Sequence, residues 1–143
     1  MAGQALHDFE TNGVPDNAIV LTYSQDGSLA EDVELADVIV GIAPFSLVVE
    51  KCTFRPVVDA DGACAAHIKA IPSATALTAT GTALTTAVDV NGSVNNTNVD
   101  FPVITSANVV PAGSAIVLDI ADATTAMTLP HVSVFCTPYN GGH

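Results

Sequence analysis

The chain is nearly devoid of base. Lys51, Arg55 and Lys69 stand against fifteen acidic residues, giving a formal net charge of −12 over 143 residues, and residues 1–50 and 70–143 hold no Lys or Arg at all. A nucleic-acid binder neutralises phosphates with several bases on one face, so that class is disfavoured, as is attraction to an anionic membrane surface. Charge of either sign is scarce, at 13% of residues, about half the usual share. Trp is absent, and Tyr23, Tyr139 and five Phe are the whole aromatic complement. That leaves little to stack sugars in a paired-carboxylate glycosidase. Long apolar runs are missing too. Val38 to Val49 is uncharged but interrupted by Gly41, Pro44 and Ser46, and falls short of the about twenty residues a membrane-spanning helix needs. Residues 1–18 have no base and no apolar run, so no cleavable secretion signal is expected. The protein is expected to be made, and to be soluble, in a cytoplasm. There Cys52, Cys64 and Cys136 should be thiols, most simply buried as small hydrophobes. The sequons Asn91-Gly92-Ser93 and Asn95-Asn96-Thr97 then read as turn residues.

What is present is core material. Apolar residues make up 49% of the chain, and mean hydropathy is +0.46. That is enough for one domain burying roughly two-thirds of its unfolded surface. Ala, Val, Thr, Ser and Asn form the neutral bulk, so much of the exterior must be uncharged, which suits contact with other subunits as well as a plain polar surface.

After residue 18, Val, Ile, Thr and Phe recur in short runs separated by Gly, Pro, Asn and Asp, the signature of strands. Strands are expected at Ala18 to Tyr23, Val38 to Ile42, Phe45 to Val58, Ala63 to Ile71, Thr85 to Val90, Val99 to Ile104, Asn108 to Val110, Ala115 to Ile120 and His131 to Thr137. Asp26-Gly27, Asp59 to Gly62 and Asn91-Gly92 are turn signals. The segments Phe45 to Val58 and Ala63 to Ile71 are expected to pair as a hairpin, with Pro56 bending the first near its end. In Pro111-Ala112-Gly113-Ser114, Pro111 would supply the fixed φ at the second turn position and Gly113 a positive φ. Ser28 to Ala36 offers a capping box, with Ser28 three residues before Glu31, for a short helix, and could equally be a loop or a strand entry. Seven to nine short strands predict an all-β antiparallel jelly-roll or β-sandwich over 19–143, preceded by an extended N-terminal arm over 1–18.

Candidate chemistry is thin. Cys64 and His67 fall on opposite faces of a strand, poor geometry for chelation. Phe135-Cys136-Thr137-Pro138-Tyr139-Asn140-Gly141-Gly142-His143 looks like the copper loop of cupredoxins, but Tyr139 occupies the place of the needed His. There is no Gly-x-Ser-x-Gly elbow, and His7, His67 and His131 have no nucleophile in motif context. No glycine loop is built to cradle phosphate. No catalytic residue, cofactor or metal is therefore expected. Lys51, Arg55 and Lys69 all lie in the expected hairpin, and Lys51 and Arg55 share strand parity. They would make a small positive spot for an acidic neighbour, or pair locally with Glu50, Asp59 or Asp61 for under about 1 kcal/mol.

The long strand Phe45 to Val58, the return Ala63 to Ile71, the Thr/Gly/Asn-rich middle, Val109-Val110-Pro111-Ala112-Gly113-Ser114 leading into Ala115 to Ile120, and Val132-Ser133-Val134-Phe135 together resemble the head decoration, or cement, proteins of tailed bacteriophages. The resemblance implies a non-enzymatic virion protein on the outside of an icosahedral capsid, often a homotrimer. Its partner would be the major capsid protein, whose subunits it ties together, with no contact to nucleic acid or membrane. The arm would then lie on a neighbouring subunit through Leu6, Phe9, Val14 and Pro15, with Lys51 and Arg55 as further capsid or subunit contacts. The alternative is a carbohydrate- or receptor-binding jelly-roll module of a phage tail or adhesin.

Overall fold

The computed structural model describes residues 18–24, 28–29, 35–55, 65–76, 81–90, 98–120, 127–128 and 131–141, all of them strand, turn or irregular. The strands are β1 (Ile19–Ser24), β2 (Ser28–Leu29), β3 (Leu35–Ile42), β4 (Leu47–Arg55), β5 (Ala65–Ile71), β6 (Thr82–Ala83), β7 (Val88–Asp89), β8 (Val99–Phe101), β9 (Val109–Val110), β10 (Ala115–Ile120), β11 (Met127–Thr128) and β12 (His131–Pro138).

From the middle of the chain outward, β5 pairs β6 and β7, β4 pairs β8 and β9, β3 pairs β10, and β1 pairs β12, all antiparallel. The chain is thus one long folded ribbon. Rolling it up brings β12 beside β4 and β10 beside β5, which makes two sheets, β1-β12-β4-β8 with β9 on β4, and β3-β10-β5-β6 with β7 on β5. This is the jelly-roll order, two packed antiparallel sheets made from one wrapped ribbon. A separate pair, β2 with β11, stands apart from both sheets.

The core lies between the sheets. Val49, Cys52 and Phe54 of β4 and Val132, Val134 and Cys136 of β12 face Ala66 and Ile68 of β5 and Ile116, Leu118 and Ile120 of β10, all without solvent exposure. Phe54 stacks on Phe101 with ring centroids 5.6 Å apart. In β4 the inward residues change parity, from Leu47 and Val49 to Cys52 and Phe54, because the register with β12 shifts between Phe135↔Lys51 and Cys136↔Val49. The bulge absorbs Glu50. One extra residue keeps both halves of a nine-residue strand facing the core, where an unbroken alternation would have turned one half outward.

Several expectations are corrected. The hairpin of Phe45 to Val58 with Ala63 to Ile71 does not form: β4 and β5 lie in opposite sheets, β4 pairing β12 and β5 pairing β10. Ser28 to Ala36 is not a helix where it is described: Ser28–Leu29 is β2, and Leu35 and Ala36 begin β3. Thr85 to Val90 is not one strand. Thr82–Ala83 and Val88–Asp89 pair β5 separately, with a bridge from Thr85 to Val103 between them. The turn before β10 is displaced by one residue, since the Ser114 N–H donates to the Pro111 carbonyl at 3.1 Å. Pro111 is therefore the first turn residue, while Gly113 does take the positive φ, 81°. The turn signals at Asp26-Gly27, Asp59 to Gly62 and Asn91-Gly92 lie outside the described residues, as does the arm.

Candidate interaction surface

Each strand end delivers its connection to one of two poles. At the first pole lie the start of β1, the β3–β4 turn (43–46), the segment after β5 (72–76), the β9–β10 turn (111–114) and the segment after β12 (139–141). Their sequences come from five stretches without Asp, Glu, Lys or Arg, namely 17–25, 38–49, 70–88, 101–118 and 132–143. Among the described residues the connections at this pole carry no charged side chain on a chain of net −12, and Glu50, whose Oε1 accepts a hydrogen bond from Thr137 Oγ1 at 2.9 Å, lies at its rim. The pole is also apolar: Ile42, Phe45, Val109 and Tyr139 are 53%, 45%, 39% and 39% exposed, with Pro44, Pro72 and Pro111 exposed beside them. Neighbouring Ile39 and Ile42 line an open hollow of about 240 Å³ with Ile71, Pro72, Thr75 and Ala115.

The pole is held by main-chain hydrogen bonds. Gly113 N–H donates to Ala43 O at 2.8 Å, Ala43 N–H to Ser114 O at 3.0 Å, and Tyr139 N–H to Ser46 O at 2.9 Å. Exposed apolar groups on backbone so fixed lose little entropy when a partner covers them. Contiguous exposed apolar area rimmed by polar residues marks an interaction site more often than scattered single residues do. At the opposite pole the strands end in Ser24, Arg55, Asp89 and Ile120. The connections leaving there carry Asp26, Glu31, Asp32, Glu34, Asp59, Asp61 and Asp122 in sequence.

The sequence-derived contact residues fall elsewhere. Leu6, Phe9, Val14 and Pro15 lie outside the described residues. Lys51 and Arg55 are exposed on the outer face of β4 with the same orientation, as their parity required. Lys69 is not with them. It sits on the other sheet, its Nζ 3.2 Å from Asp119 Oδ2, with His67 Nε2 at 3.9 Å from the same oxygen. Lys51 Nζ lies 3.8 Å from Asp100 Oδ1, both side chains well exposed. These partners are strand neighbours contributed from far along the chain, not the local Glu50, Asp59 or Asp61.

On the same outer face, Ser24 and Ser133 hydrogen-bond the two ring nitrogens of His131. The sequence reading missed this group because Ser24 is brought in by β1–β12 pairing. It sits on an open sheet face, and its chemistry is that of a hydrogen-bond chain fixing three side chains. The two described thiols sit in the core. Burial, then the neighbouring Cys136, pushes Cys52 up to about 12, and burial, then the Glu50 charge, pushes Cys136 up to about 11. A copper ligand must be a thiolate, so Cys136 is the reverse of what a cupredoxin loop needs. Among the described residues no three His, Cys, Asp or Glu side chains group as a metal site.

No family model and no curated protein matches this chain. Among solved structures it is similar to a chain of the capsid asymmetric unit of cyanophage Pam1, at 14% identity and a TM-score of 0.48, covering 86% of each chain. It is also similar to chains of infectious bursal disease virus, strain Gx (19% identity, TM-score 0.42) and strain Gt (21%, 0.40). Those matches cover 90% of this chain but only 34% and 33% of the viral chains.

Proposed function

We propose that this chain is a non-enzymatic structural protein of a virus particle. It attaches by its charge-free pole to the outer surface of an icosahedral phage capsid and bridges adjacent capsid subunits. The observation that carries this reading is the set of exposed apolar residues, Ile42, Phe45, Val109 and Tyr139, on uncharged connections at one end of the sandwich. Such a surface seeks burial. Fully burying side chains of the size of Ile42, Phe45, Val109 and Tyr139 gains about 1.5–3 kcal/mol each, less here because each is already partly covered.

The arm extends the same contact. Ala18 enters β1 at this pole, and Leu6, Phe9, Val14 and Pro15 of the preceding arm would lie on a neighbouring subunit. Lys51 and Arg55 would meet acidic groups of an adjacent subunit, and a homotrimer would place three poles on one capsid site. Co-sedimentation with capsids tests the reading. Ile42→Asp with Phe45→Asp should abolish attachment with only a small shift of the urea midpoint, because both side chains are about half exposed in the free protein. Deletion of residues 2–17 should weaken it. Undiminished attachment of the double variant would sink the pole as the capsid-binding surface.

A further inference from the structure

Among the described asparagines, Asn98 and Asn108 each precede a valine, and Asn140 precedes Gly141. Asparagine is a chemically labile residue. It loses its side-chain amide when the backbone nitrogen of the next residue attacks Cγ, which requires that nitrogen to be unhindered and the side chain to be free to swing over it. A following β-branched residue crowds the approach, whereas glycine leaves it open and lets the backbone take conformations that other residues avoid.

The fold separates Asn140 from the other two. Asn108 Nδ2 donates to Val49 O at 3.0 Å, and Val109 after it is the first residue of β9. Asn98 leads into Val99, the first residue of β8, which pairs with Phe54 of β4. Asn140 lies beyond the end of β12 at Pro138 and beyond the main-chain anchor from Tyr139 N–H to Ser46 O at 2.9 Å. Asn140 and Gly141 are both exposed, and among the described residues no hydrogen bond holds the Asn140 side chain or the Gly141 N–H. Gly141 has a φ of 69°, and nothing stands within 4 Å of where its Cβ would be.

We infer that Asn140-Gly141 is a self-modification site, which with time gives a negative charge to the pole where it lies. The Gly141 nitrogen bonds to Asn140 Cγ, the Cγ–Nδ2 bond breaks, and ammonia leaves with the proton that the Gly141 nitrogen gives up. Water then opens the succinimide ring, at Cγ to give aspartate or at the main-chain carbonyl to give isoaspartate. No oxidant or reductant takes part, and either product replaces a neutral amide by a carboxylate. The modification does not depend on what the pole binds; its effect on attachment rests on the capsid reading. The carboxylate arises next to Tyr139, one of the exposed apolar residues of the pole, and covering an unpaired carboxylate costs far more than covering an amide. Protein that has aged before assembly therefore attaches poorly.

Peptide mass spectrometry of the full chain, kept warm in neutral buffer over days, tests the modification. Conversion adds one mass unit to the peptide holding Asn140, and it should run many-fold faster there than at Asn98 or Asn108. In Asn140→Gln it should be absent, because the longer side chain closes a ring poorly. If Asn140 keeps its amide as long as Asn98 and Asn108 do, the inference fails. Partly converted protein is then co-sedimented with capsids. The converted form should be severalfold enriched in the supernatant, and Asn140→Gln should attach like fresh protein. Equal proportions of the two forms in pellet and supernatant would overturn the effect on attachment. Failure of fresh protein to attach would count instead against the capsid reading, with the mass measurement still deciding the modification.

Discussion

Thr85 Oγ1 accepts the Ile68 N–H at 2.9 Å, and both residues are buried. β6 pairs with Lys69 and Ala70 of β5, and β7 with Ala65 and Ala66, so the interruption between them falls at Ile68. The Ile68 carbonyl receives Leu84 N–H at 2.9 Å, and the Thr85 hydroxyl serves the remaining donor. One side chain thus mends a gap in the ladder.

Replacing Thr85 by Val keeps shape and removes the acceptor. An unsatisfied buried N–H costs about 1–3 kcal/mol. Urea unfolding should show that loss for Thr85→Val and at most about half of it for Thr85→Ser, which retains the hydroxyl.

Lys69 and Asp119 are diagonal neighbours across β5 and β10, Asp119 lying opposite His67, with the Lys69 and Asp119 side chains 12% and 20% exposed. Asp119→Ala would leave a mostly buried ammonium beside His67 without its carboxylate. The expected cost is about 1–3 kcal/mol, below that of a fully buried pair. Lys69→Met with Asp119→Leu should recover most of it, because no charge then remains to be desolvated. A double-mutant cycle by denaturant unfolding measures both.

The core thiols make stability pH-dependent on the alkaline side. With pKa values raised from 9.0 to about 12 and about 11, both are largely protonated in both states at neutral pH, where their contribution is fully present. Above pH 9 the unfolded chain releases these protons and the native state holds them, so stability falls as pH rises until the folded values are passed. Each thiol contributes at most about 1.4 kcal/mol per pH unit in that window. Cys52→Val and Cys136→Val should flatten the decline. In the native protein at pH 8, Cys52 and Cys136 should resist alkylation that is rapid in urea, read by peptide mass spectrometry.

Attachment through a charge-free pole should not weaken with salt. Raising sodium chloride from about 50 mM to about 500 mM shortens the screening length several-fold. Capsid co-sedimentation should be unchanged or slightly stronger. A steep loss would move the binding energy to Lys51, Arg55 and the acidic arm instead.

Strand positions were largely legible from sequence. β1, β3, β10 and β12 fall within a few residues of their expected places because each is a short Val- and Ile-rich run bounded by turn residues. Pairing was not. Asp59 to Gly62 looks like a hairpin turn, yet β4 and β5 go to different sheets, because their pairing partners, β12 and β10, come from the far end of the chain, where no local signal reaches. The register shift that absorbs Glu50 was equally hidden, since it answers to β12, more than seventy residues away.

The candidate surface shows the same division. The amino-acid sequence alone determined that the chain is acidic, poor in charge, built of strands and without a recognisable catalytic motif, because these follow from composition and local spacing. Only the tertiary structure decided that five separate uncharged stretches meet at one pole with Ile42, Phe45, Val109 and Tyr139 exposed, that Lys69 reaches Asp119, and that β1 ends its sheet. Those are consequences of which strands lie side by side, and a jelly-roll pairs residues from opposite ends of the chain that no local pattern connects.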